Sequence, residues 1–303
     1  MYEAVNTAII AKAKEMLSNG TVNRVLGWQK GLFDYDITPA VFNSAEEIDK
    51  DFVYNEFCGP NLSKYLIKES RKEGKVLVFL KPCDTYSFNQ LIKEHRIIRE
   101  NIVAVGIPCE GMKTGETGEL AERCTVCRGT KHVAYDELLD GCNEAELDAE
   151  TAQKRFAKVS ELEAMSPDER FEFWRGELSR CIRCNACRNV CPACSCEMCV
   201  FDNPNSGISQ KAAADTFEEN MFHIIRAFHV AGRYTDCGEC SRVCPQNIPL
   251  HLLNRKFIKD INEIYGDYQA GFDTESRAPL NTYNTEDVEP SIVYERSAEQ
   301  GGN

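Results

Sequence analysis

CIRCNACRNVCP, residues 181–192, places Cys181, Cys184, Cys187 and Cys191 in a C-x2-C-x2-C-x3-C-P run. Three cysteines at this short spacing wrap one corner of an iron–sulfur cubane. The fourth, carried off toward a proline, ligates the other cluster of a two-cluster module. A second half must then follow, and CGECSRVCP (237–245) supplies it: Cys237, Cys240 and Cys244 repeat the end of the pattern, and Pro245 repeats Pro192. Crossed ligation assigns Cys181, Cys184, Cys187 and Cys244 to a first 4Fe-4S cluster, and Cys191, Cys237 and Cys240 to a second.

This is the run of two-cluster bacterial ferredoxins, with one departure. The second cluster's remaining ligand is expected three residues before Cys237, where this chain has Tyr234. Phenolate is a harder donor than thiolate and suits a cubane poorly. PACSCEMC places Cys194, Cys196 and Cys199 just beyond Cys191, and one of these three is expected to complete the site. Structural zinc is the competing reading, because paired C-x2-C motifs also bind it. It has no use for the longer run and its proline-marked echo.

Outward from this cluster, the chain has 303 residues and sixteen cysteines, ten of them between positions 181 and 244. Such density, without an N-terminal basic and apolar leader, argues for metal chemistry in a cytoplasmic protein rather than for disulfides. No apolar run reaches the 18 or so residues that cross a bilayer. With 35 Lys and Arg against 48 Asp and Glu, and a net charge of −13, nucleic acid is a poor partner.

The first half reads as α/β. KVLVFL (75–80) and NIVAVGI (101–107) are short apolar runs with the helical stretch 85–98 between them. Strand, helix and strand in this order predict a parallel pair covered on both faces. Further helices are expected over 4–18, 45–57, 61–73 and 211–232. Cys83 and Cys109 follow the two strands and should emerge at the carboxyl edge of the sheet, where α/β ligands usually bind. Cys124 and Cys127 arrive after the Gly-rich segment 111–119, so these four cysteines are expected to hold a third cluster. Cys58 and Cys142 are expected to remain unligated, Cys58 being the reserve ligand. Lys81, Asp84, Lys131 and His132 are candidates for tuning that site, and Arg183, Arg188 and Arg242 for offsetting cluster charge. His223 and His229 are read as structural.

The predicted architecture is an α/β domain with a small parallel sheet (1–143), a charged helical connector (144–180) and a mostly helical, ferredoxin-like two-cluster domain (181–265). An acidic tail (266–303) completes it. The connector has ten acidic and six basic residues, and Ser166 in SPDER is its expected helix cap. Gly-x-Gly-x2-Gly and Walker-type loops are missing from the sequence, so neither a dinucleotide nor an ATP site is signalled.

KPCDTYSFNQLIKEHRIIRENIVAVGIPCEGM (81–112), CTVCRG (124–129), RCIRCNACRNVCPACSCEMC (180–199) and CGECSRVCPQNIPLHLLNR (237–255) together resemble a known group. They are similar to the iron–sulfur subunits of cytoplasmic formate dehydrogenase, hydrogenase and heterodisulfide-reductase-linked flavin oxidoreductase complexes. The N-terminal region resembles the beta subunit of coenzyme F420-reducing hydrogenase. The resemblance implies an electron relay between a flavin-containing subunit and another redox subunit. FAD accompanies the hydrogenase relatives, but no residue set here supports that site, so a flavin-free chain is expected. A flavin-containing subunit acting directly on reduced coenzyme F420, NADH or ferredoxin is the alternative, and a zinc scaffold the third reading.

Overall fold

KVLVFL needs cover on both faces, and it receives it. The computed structural model describes residues 2–115, 117–127, 130–143, 149–203, 205 and 216–280. Strands β1 (Arg24–Lys30), β2 (Ile37–Phe42), β3 (Val76–Leu80), β4 (Ile102–Gly106) and β5 (Glu137–Leu138) form one sheet in the order β2-β1-β3-β4-β5. The expected pair is β3 and β4, parallel in register from Val76 opposite Ile102 to Leu80 opposite Gly106. Every residue of β3 is buried.

The expectation of a small parallel sheet needs correction: the sheet is mixed. β1 is parallel to β3, but β1 and β2 form an antiparallel hairpin at one edge, and β5 adds two residues at the other. Pro39 lies within β2, which it can do because an edge strand loses no interior hydrogen bond.

The N-terminal helices are α1 (Tyr2–Ser18), α2 (Ala45–Asp51), α3 (Leu66–Glu69), α4 (Pro82–Lys93) and α5 (Glu122–Thr125). α2 begins at its Ser44 cap but stops six residues short of the expected 57. There the chain turns extended at Phe52, so that Val53 N donates to Trp28 O on β1. The expected helix 61–73 is a 3-10 turn, Leu62–Tyr65, followed by the single turn α3. α4 starts at Pro82 and ends near Glu94, ahead of His95 at a left-handed φ of 53°, rather than continuing to 98.

The second half comprises α6 (Ala149–Lys154), α7 (Ala157–Ala164), α8 (Pro167–Leu178), α9 (Ala186–Asn189), α10 (Thr216–Val230), α11 (Glu239–Arg242) and α12 (Leu250–Tyr265). Residues 211–215 of the expected helix 211–232, and residues 144–148 of the connector, lie outside the described residues. Ser166 caps α8 with the reciprocal capping box that SPDER encodes. The connector is nevertheless more than an exposed link: Val159 and Leu162 pack with Leu252, and Leu178 with Cys187 and Cys240.

Polar residues on α4 record how the halves meet. Asp84, Thr85, Ser87, Asn89 and Gln90 are all buried. Ser87 bonds Asn61 at 3.0 Å and Thr235, from the second half, at 2.8 Å. Such groups tolerate burial because they are hydrogen-bonded. After α12 the chain returns over α4 at Gly271 (φ 74°), where a Cβ would lie 1.8 Å from Tyr86 O. The acidic tail is described only as far as residue 280.

Candidate metal centres

The two cysteine motifs fold alike. Cys184 sits between two left-handed residues, Arg183 (φ 53°) and Asn185 (φ 61°), and Cys237 sits between Asp236 (φ 59°) and Gly238 (φ 68°). Each pair curls the backbone into a one-turn helix, α9 bearing Cys187 and α11 bearing Cys240. The repeat was readable from spacing, and its backbone basis is this doubled left-handed step.

Cys181, Cys184 and Cys187 line one small cavity together with Cys244 from the second motif. Crossed ligation requires that meeting across more than fifty residues. Arg183 N donates to Cys181 Sγ at 3.4 Å, and His223 Nε2 lies 3.3 Å from the same sulfur. Burial, then the charges of Arg226 and Arg183, push the His223 pKa down to about 3, so its ring is neutral. His223 thus belongs to the wall of the site, while His229 is exposed.

Cys191, Cys237 and Cys240 are buried. Cys191 packs with Phe156, Ala193, Val230, Tyr234 and Ile258, and Cys194 rests against this group. Cys196 is exposed, and Cys199 is half-buried beside Arg188, which also pairs with Asp202 at 2.7 Å. The Tyr234 hydroxyl accepts the Gly238 N–H at 3.3 Å and lies 4.0 Å from Cys240 Sγ.

Arg226 was missed in the sequence because it lies in α10, outside every cysteine motif. It is 4% exposed, and its Nη2 donates to Cys187 O at 3.2 Å. Burial disfavours its charge, but Cys191, Cys187, Cys240 and Cys194 together hold its pKa well above the usual guanidinium range. The available signal was position: Phe222, His223, Arg226, Ala227 and Val230 form one buried face of α10.

In the first half, Cys83 from α4, Cys109 beyond β4, Cys124 from α5 and Cys127 line a single cavity of about 340 Å³. Gly111 N donates to Cys109 Sγ at 3.4 Å and Met112 N to Cys124 Sγ at 3.3 Å. Burial raises the Cys109 thiol to about 11 and the Cys83 thiol well above its ordinary value. Lys81 lines the same cavity, pairs with Asp84 at 2.7 Å where both are buried, and stands 4.6 Å from the centroid of the Trp28 ring. Lys131 is exposed, and His132 lies 3.2 Å from Leu80 O, packed beneath Gly106.

Asp236, Cys237 and Arg255 also line this first-half cavity, so the third site adjoins the second. A buried ionic latch crosses the boundary. Arg123, beside Cys124, donates to Cys237 O at 2.9 Å, Gly59 O at 2.8 Å and Glu239 Oε1 at 2.5 Å. Glu239 also takes two bonds from Arg242 and the Asn61 N–H. Arg242 and Arg123 hold its carboxyl down to about 2 despite burial. At Gly238 a Cβ would press within 3.0 Å of Arg123, so glycine there serves both the left-handed turn and this close approach.

Cys58, the expected reserve ligand, is fully buried in the N-terminal core, where its Sγ accepts from Asn55 N at 3.2 Å and donates to Val53 O. Burial raises its pKa to about 12. In folded protein, iodoacetamide at pH 8 is expected to leave Cys58 unmodified while denatured chain reacts fully, as read by peptide mass spectrometry. Alkylation of Cys58 without unfolding would contradict this.

The thiols of the first group, Cys181, Cys184, Cys187 and Cys244, and of the third, Cys83, Cys109, Cys124 and Cys127, each line one cavity. Four thiolates around one space suit a cubane. Backbone N–H donors aimed at sulfur also suit a thiolate-bound cluster. Residues 177–248 match the 4Fe-4S dicluster domain family. The chain is 24% identical to the F420-dependent formate dehydrogenase subunit beta of Methanocaldococcus jannaschii, over 90% of this chain and 93% of that protein. It is equally identical to the F420-dependent formate dehydrogenase 1 subunit beta of Methanococcus maripaludis, over 90% and 92%. Domain match, cysteine groups and these relatives agree: the chain is an electron-transfer iron–sulfur subunit of an oxidoreductase, built on a 4Fe-4S dicluster domain.

Proposed function

We propose that the chain is a three-cluster wire with no substrate site of its own. Its first cluster is held by Cys181, Cys184, Cys187 and Cys244. Its second is held by Cys191, Cys237 and Cys240 plus one further cysteine, and its third by Cys83, Cys109, Cys124 and Cys127. The observation that carries this reading is contiguity. Cys237 lines the cavity of the third site, and Arg226 interacts with cysteines of both other groups, which supports three sites in series. Bound clusters supply one-electron carriers. The chain's own residues hold them in series, keep water from the buried thiolates and offset their charge through Arg226 and Lys81.

The wire has an α/β domain (1–143), a helical connector (144–180), a two-cluster domain (181–265) and an acidic tail (266–303). It joins a flavin-containing subunit to another redox subunit in a cytoplasmic complex. The relatives' names point to formate oxidation and coenzyme F420 as the chemistry at its ends.

A second reading, a flavin bound in this chain, is favoured by one cavity of about 850 Å³ between β2 and the end of the first cysteine motif with the segment that follows it. Lys64, Lys68, Arg71, Arg188 and Arg233 line it. One experiment separates the readings. Anaerobically purified protein is expected to contain about twelve iron atoms per chain, with equal acid-labile sulfide and no extractable flavin. Zinc without sulfide would overturn the wire, and stoichiometric FAD or FMN would favour the second reading.

A further inference from the structure

We propose that Cys194 is the fourth ligand of the second cluster, replacing the cysteine that the repeat would place at Tyr234. The inference rests on the two-cluster reading of residues 177–248 and names a ligand that spacing leaves open among three cysteines.

Cys194 stands three residues after Cys191, so Cys191-Pro192-Ala193-Cys194 is itself a C-x2-C pair. A tight turn closes it, with Cys194 N donating to Cys191 O at 3.1 Å. Of the three candidates, only Cys194 packs against the buried group containing Cys191 and Tyr234. Cys196 is exposed, and Cys199 faces Arg188 and Asp202. The cluster would then lie between two C-x2-C pairs, Cys191/Cys194 and Cys237/Cys240.

The surrounding charges support the same set. Arg226 is almost wholly buried, its Nε has no hydrogen-bond partner among the described residues, and its neighbours include Cys191, Cys240 and Cys194. An unpartnered buried guanidinium nitrogen is costly unless something negative faces it, and a thiolate-bound cluster is negative. Lys64 donates to the Cys194 carbonyl and brings a second cation from the N-terminal half.

Tyr234 has another task. Its hydroxyl takes the Gly238 N–H, and its ring packs with Phe156, Val230 and Ile258. A buried phenol already engaged by the Gly238 N–H is a poor ligand for a cubane. The tyrosine fills the space of the missing cysteine and braces the left-handed turn at Gly238.

The test uses full-length protein purified anaerobically, with iron and sulfide analysis, Mössbauer spectra and EPR. Cys194→Ser is expected to lose one cubane, seen either as about four fewer iron atoms per chain or as conversion of that cluster to a three-iron form. Cys196→Ser and Cys199→Ser are expected to match wild type. Tyr234→Cys in the Cys194→Ser background restores a thiolate at the repeat position and is expected to recover the lost cubane. If Cys194→Ser alone precipitates, the double variant decides: full iron supports the assignment and one missing cubane overturns it. A soluble Cys194→Ser protein with unchanged spectra, or cubane loss in either neighbouring variant, also overturns it. Two intact cubanes in wild type together with an unaffected Cys194→Ser would sink this assignment alone. Fewer than two cubanes in wild type would sink the two-cluster reading as well.

Discussion

Cys109→Ser is expected to remove the N-terminal cluster and leave the other two, lowering iron from about twelve to about eight atoms per chain. The reason is convergence. Cys109 meets Cys83, Cys124 and Cys127 around one cavity although three different chain segments deliver them. Serine keeps the volume and the backbone donor from Gly111, so packing survives while the soft sulfur ligand is lost. The EPR signals of the two-cluster domain should persist, because none of its assigned ligands is touched. Cys58→Ser is the control: Cys58 shares the N-terminal core but bonds only local backbone and Asn55, and its substitution should leave iron unchanged. Undiminished iron in Cys109→Ser would remove the third cluster from the scheme.

Glu239→Ala is the second large effect, this time on stability. The carboxylate is 2% exposed and receives Arg123, Arg242 and the Asn61 N–H. Removing it strands the Arg123 guanidinium, only 14% exposed, against the carbonyls of Cys237 and Gly59. Breaking one side of a buried ion pair typically costs about 3–5 kcal/mol. In a chain of this size, that corresponds to a fall in unfolding midpoint on the order of 10 °C at a fixed scan rate. The double variant Glu239→Ala/Arg123→Ala should cost less than the two single costs summed, by about 1–3 kcal/mol, since the second substitution removes the stranded charge. Additive losses, or a midpoint shift for Glu239→Ala below about 2 °C, would show that the latch contributes little.

These two experiments probe features that differed in how far the sequence disclosed them. The strands β3 and β4 were readable because continuous apolar runs have few alternatives to a doubly covered parallel sheet. The α8 cap was readable because Ser166 and Glu169 satisfy each other within one turn. The β1–β2 hairpin was not, since Pro39 interrupts its pattern and only the edge position makes that proline acceptable. α2 likewise stops at Asp51 because, after Phe52 closes its last turn, Trp28, a residue from another element, captures the Val53 N–H.

The candidate sites divide along the same line. Spacing alone decides that a two-cluster module is present and pairs Cys244 with the first motif, because three ligands of a cubane must come from a few consecutive residues. The meeting of Cys83, Cys109, Cys124 and Cys127 required an assumption about the sheet edge, which the parallel β3–β4 pair satisfies. Arg226, the Arg123–Glu239 latch and the burial that favours Cys194 over Cys196 and Cys199 belong to tertiary structure alone. Each depends on which distant segment is buried against which, and a charge can be held among thiolates only after folding has removed the water that would otherwise screen it.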